Sequence, residues 1–135
     1  MSVIVTDAGF AVDDWPHGWA EAPEGAAGLH LPADADAEAL RPHLARLGAI
    51  RIPFAAFSDG RGFTLAATLR RMGFAGRLRA QGHVIADQYA MARRAGFDEV
   101  EIDDGLAARQ PEADWLARAN WRAHDYRARL RGRAA

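Results

Sequence analysis

Residues 50–83 run through Ile50-Arg51-Ile52-Pro53-Phe54, Ser58-Asp59-Gly60-Arg61-Gly62-Phe63-Thr64, Leu65, Leu69 and Met72 ahead of Gly73, and Leu78-Arg79-Ala80-Gln81-Gly82-His83. Two short apolar runs flank a stripe at helical spacing, with a glycine turn before the stripe and a glycine after it. Strand, helix, strand at this spacing is a βαβ unit, and such a unit needs parallel strands. The same rhythm continues on both sides. Leu29–Leu31 precede the stripe Leu40, Leu44, Leu47, and Ile85, Tyr89, Ala92 precede Val100–Ile102. Gly48, Gly73 and Gly96 each follow a stripe, where a left-handed residue ends a helix. Pro42 either kinks the first helix or makes it begin near Arg41.

Outside this core, residues 3–14 read as a hairpin turning at Asp7-Ala8-Gly9. Trp15 to Gly28 carries prolines, glycines and alanines with no period and reads as a long surface loop. Beyond Glu112, Leu116, Ala119, Ala123, Tyr126 and Leu130 make a narrow apolar seam on a last helix reaching about Arg131. That helix packs either on the sheet's helices or on its mate in a homodimer. Trp121 lies off the seam, as a contact with the Trp15–Trp19 loop or as an interface anchor. The arginines at 118, 122, 127, 129, 131 and 133 face one nearby acid, Asp125. They form a solvated face, or else dock on an acidic partner or RNA. The expected fold class is α/β: a small mostly parallel sheet of consecutive βαβ units, with an N-terminal β-hairpin and a C-terminal helix. One domain spans 1–135, with hairpin and loop at 1–27, the βαβ core at 28–104 and the helix at 112–132. An open sheet and half of a (β/α) barrel fit equally well.

The 135 residues are half hydrophobic and about a quarter charged, which suits a folded core. Cysteine is absent, excluding thiol catalysis, disulfides and cysteine-ligated clusters on this chain. Lysine is absent too, so every permanent cation is an arginine fork. A formal net charge of −1 argues against coating nucleic acid. No leader-like segment and no membrane-length apolar run stands out, giving a cytoplasmic expectation with no membrane partner. His17, His30, His43, His83 and His124 have no metal-binding spacing, so no metal is expected. The sequence names no cofactor.

Two stretches could carry chemistry. In the turn at Asp59-Gly60-Arg61-Gly62, backbone N–H groups can approach an anion at a helix N-terminus beside an arginine. A tight turn with Asp59 capping the helix explains it equally well. Arg79, Gln81 and His83 end the next strand, and parallel strands present their C-termini along one edge. Asp59, Arg61, Gln81 and His83 are therefore expected to meet there, with Arg79 close behind. Asp59 and His83 are the candidate acid–base pair, and Gly60, Arg61, Gly62 and Arg79 the candidate anion-binding group. The bland alternatives are a capping His83 and an Asp87 placed by the helix dipole.

Four ordered motifs, Ser58–Ala66, Gly76–Gly82, Asp87-Gln88 and Arg94–Asp98, resemble the bacterial DUF934 family over roughly residues 28–104. His83 stands where many members have Asp, and Ala95 where they often have Cys. The resemblance carries over Asp59, Gly60, Arg61, Gly62, Arg79, Gly82, Asp87 and Gln88 as motif positions without assigned roles. It implies a place beside sulfite reductase genes and an accessory role in assimilatory sulfate or sulfite reduction. The expected partner is sulfite reductase, met through a protein surface or an oxyanion-binding edge. The alternative is a small stand-alone enzyme of sulfur metabolism using Asp59 and His83, with Arg61 and Arg79 holding an oxyanion.

Overall fold

A computed structural model describes residues 2–124. Strands β1 (Ser2–Thr6) and β2 (Gly9–Ala11) form the expected hairpin. Gly9 takes a φ of +110° at the turn, a conformation that favours glycine. The next strands, β3 (Gly28–His30), β4 (Ala49–Phe54), β5 (Arg77–Gly82) and β6 (Glu99–Asp103), pair in parallel. β1 joins the hairpin to β6 in antiparallel register, giving one six-stranded sheet ordered β2-β1-β6-β5-β4-β3. Helices α1 (Arg61–Arg71) and α2 (Tyr89–Ala95) connect the last three parallel strands, and α3 (Asp104–Arg109) and α4 (Glu112–Leu116) follow. No helix among the described residues is long and apolar enough to cross a membrane.

The parallel strands run in chain order without reversal. Right-handed crossovers of that kind place their connections on one face of the sheet. The sheet is open, but its winding is that of half a barrel. Period-two alternation then divides the side chains. Val5, Leu29, Ile50, Ile52, Phe54, Leu78, Ala80, Val100 and Ile102 share one core with Leu65, Leu69, Tyr89 and Ala92 from the helices. The alternate positions Arg51, Arg77, Arg79, Glu99 and Glu101 fall on the opposite face.

Several local expectations change. The stripe Leu40, Leu44, Leu47 is buried, but Ala37–His43 forms a 3-10 turn, capped by Asp36 and containing Pro42. A proline inside the segment removes a donor and crowds the preceding turn, disfavouring an α-helix. Gly73 and Gly96 have φ of +98° and +114° as expected, whereas Gly48 has no positive φ. A Cβ on Gly48 would instead come within 3.1 Å of the Trp15 ring. The last helix is not continuous. It stops at Leu116, and a separate 3-10 turn covers Trp121–His124. Trp115 is its buried anchor, donating to the Gln110 carbonyl at 2.8 Å, while Leu116 is 43% exposed. At this turn the buried position is thus Trp115 and not the expected Leu116. Tyr126, Leu130 and the arginines from 127 onward, expected on this helix, lie outside the described residues.

Candidate functional site

The charged face of the sheet is a packed layer centred on Arg79. No solvent reaches Arg79, although it lies in the middle of a strand. Its guanidinium donates to both oxygens of Asp13 at 2.9 Å, to Glu101 at 2.8 Å and, through Nε, to Glu99. Burial works against the charge, but these carboxylates outweigh it and raise the arginine's pKa. Hydrogen bonds from Arg79 bring the Asp13 carboxyl down to about 2. Glu101 also accepts from Arg51 at 3.3 Å, and Arg51 donates Nε to His30 Nδ1 at 3.0 Å. Burial first, then the Arg51 charge, lowers the His30 pKa, as suits a ring nitrogen that accepts. The Trp19 ring lies over both guanidiniums, 4.8 Å from Arg51 and 5.1 Å from Arg79. Asp14 pairs with Arg77. The segment from Asp13 to Trp19 is thus a strap closing the face that helices leave open. Arg79 is structural here, which corrects its expected place at an anion-binding edge.

The glycine turn follows β4, and His83 follows β5, so both stand at the strands' C-terminal edge. They do not share a cleft. Asp59 and Arg61 form a bidentate pair at 3.0 and 2.9 Å, and Asp59 also accepts the Arg61 backbone N–H at 3.1 Å. The hydrogen bonds from Arg61 hold the Asp59 carboxyl below the ordinary carboxylate range. Such a group stays ionised near neutral pH and is a poor proton donor. Asp59 thereby satisfies the first N–H of α1 from one position before the N-cap, Gly60, which has no side chain to do so. Arg61 lines a cleft of about 350 Å³ that also holds Asp34 and Thr64. Gly60 faces open space, and a Cβ on Gly62 would come within 2.5 Å of the Phe54 ring.

His83 opens onto a different groove of about 340 Å³, lined by Ser2, Pro53, Gln81, Glu101 and Asp103 among others. No arginine lines it among the described residues. The exposed His83 meets the edge of Phe57 at 5.2 Å between ring centroids, and its N–H donates to the Phe54 carbonyl at 3.0 Å. Gly82 has a φ of +107°, and a Cβ there would lie 2.8 Å from the Phe54 carbonyl oxygen. Gln88 clamps the two edge loops: it accepts from the Ile85 N–H at 3.0 Å and donates to the Phe57 carbonyl at 2.7 Å. Asp87 accepts from Arg118 at 2.6 Å on the surface. Among the described residues, no group of three His, Cys, Asp or Glu could hold a metal ion.

Residues 28–134 match the family described as "Bacterial protein of unknown function (DUF934)". The chain belongs to the DUF934 family. No curated protein and no solved structure matches it. The DUF934 motif positions Arg61, Gly62, Arg79, Gly82 and Gln88 hold loops and layers in place, as the contacts above show.

Two features escape the sequence reading. Asp13 and Asp14 close the charged layer from more than sixty residues away in the chain, with no local signal. Asp7 accepts from Tyr89 at 2.6 Å, from Arg93 and from Trp121, so Trp121 packs on the hairpin turn and not on the Trp15–Trp19 loop. The charged face itself has a partial signal, in Arg77 and Arg79 of β5 and Glu99, Glu101 and Asp103 of β6 alternating with apolar residues.

Proposed function

We propose that this chain is an accessory protein of sulfite reduction, acting by docking on sulfite reductase and not by turning over a substrate itself. The observation that carries this reading is the commitment of the edge groups. Asp59 is spent on Arg61, Arg79 is enclosed by three carboxylates, and the groove beside His83 has no arginine among the described residues. An oxyanion-processing site needs cations free to meet the anion. The link to sulfite rests on the resemblance of the motifs to a family found beside sulfite reductase genes. Affinity capture from sulfate-grown cells tests the reading. It expects sulfite reductase to be recovered with the tagged chain. Recovery of none, together with turnover of a small sulfur oxyanion by the purified chain, would overturn it.

A second reading, a small enzyme of sulfur metabolism, is favoured by His83 itself. It is exposed at the mouth of a 340 Å³ groove that also holds Gln81. In that case proton transfer falls to His83 alone, since Asp59 is held ionised by Arg61.

A further inference from the structure

The rim opposite the glycine turn, where α1 and α2 end and β5 and β6 begin, carries two adjoining clefts of about 460 and 420 Å³. They share Arg70, Gly96 and Trp121. Helix C-termini leave carbonyls outward, but Arg70 absorbs those at hand. It donates to the carbonyls of Phe74, Gly76 and Gly96 at 2.8–3.0 Å and to Asp98 at 2.9 Å. Arg77 and Arg93 are likewise committed, to Glu99 and Asp7. Arg71, Arg94 and Arg122 are different: exposed, lining the clefts, and with no ion pair among the described residues. Asp98 is the one acid in the lining of either cleft among the described residues. Trp121 sits between two guanidiniums, 4.8 Å from Arg93 and 4.9 Å from Arg122.

We infer that this arginine–tryptophan rim is a docking surface for an acidic segment of a partner protein. Charge complementarity selects the occupant: Arg71 and Arg94 each donate one bond, to the Thr68 hydroxyl and the Trp121 carbonyl, but none of the three guanidiniums has a carboxylate among the described residues, and Trp with Arg is the composition of interface anchors. A nucleic acid is disfavoured because guanidiniums already cover the indole that a base would stack upon. This assignment rests on the partner-docking reading above and supplies its surface.

The test compares the wild type with the double variant Arg71→Glu, Arg94→Glu and with a control, Arg46→Glu, Arg109→Glu, that makes the same charge change outside the clefts. Each is titrated with a labelled peptide of alternating Glu and Ala, with a single-stranded oligonucleotide, and with purified sulfite reductase. The groove variant is expected to weaken peptide and sulfite reductase binding by about tenfold or more. The control should stay within about twofold of wild type, with thermal midpoints unchanged because all four residues are exposed. Equal peptide binding by the groove variant overturns the surface. So does tighter, variant-sensitive binding of the oligonucleotide, or self-association that the groove variant abolishes. Sulfite reductase bound equally by wild type and groove variant overturns this surface while leaving the proposed function standing. Variant-sensitive peptide binding with no sulfite reductase binding leaves the surface standing and sinks the proposed function.

Discussion

Gly62 lies inside α1 without a positive φ, and its lack of a side chain serves the Phe54 ring packed on it. Valine there must push an aromatic core residue, so Gly62→Val should cost about 1–3 kcal/mol in urea unfolding by overpacking. Gly60 faces open space, and Gly60→Ala should change stability by no more than about 0.5 kcal/mol. Equal losses at both glycines would show that the turn's backbone, and not the ring, sets the requirement. By sequence Arg61 is a candidate anion-binding residue. The fork is already closed on Asp59, so Arg61→Ala should alter sulfite or sulfate affinity by less than about twofold in calorimetry. A tenfold loss would restore the oxyanion edge.

The strap from Asp13 to Trp19 is the element that the alternating strands required. Charged residues at alternate positions, Arg77 and Arg79 in β5 and Glu99, Glu101 and Asp103 in β6, imply a face without helices, and that much can be read from the chain. What covers the face cannot, because Asp13 meets Arg79 through tertiary placement alone, and two acids in a loop look like any solvated turn. The edge was legible in the same partial way. Parallel winding brings the glycine turn and His83 to one side, but which side chains face each other there depends on local pairing, as Asp59 with Arg61 shows. Removing Arg79 leaves three carboxylates facing one another, so Arg79→Ala should destabilise the fold by about 3–5 kcal/mol in urea. A loss below about 1 kcal/mol would mean that water enters the layer freely. The strap should also answer to acid. Asp13 titrates near 2 when folded against an ordinary 3.8, so its contribution is full above about pH 4 and is lost as pH falls toward 2. Its side chain is 35% exposed, and solvent screening reduces that contribution to about 1 kcal/mol. Asp13→Asn should therefore be less stable than wild type at pH 7, with the gap closing near pH 2. A gap constant with pH would contradict the ion pair's role.

Across the whole molecule, charge is sorted by position. One face of the sheet is a closed layer of paired ions, the C-terminal edge has its arginine neutralised by Asp59, and Arg71, Arg94 and Arg122, without an ion pair among the described residues, stand on the opposite rim. A molecule built this way presents surface more readily than it presents a reaction centre, which is why docking is the reading offered for this member of the DUF934 family. The most direct measurement is calorimetric titration of purified sulfite reductase with the purified chain, followed by sulfite turnover assays of each alone. The account predicts saturable binding to the reductase and no turnover of sulfite or a related oxyanion by the chain by itself. Absence of binding at high micromolar concentration, with turnover by the chain alone that His83→Ala abolishes, would contradict it.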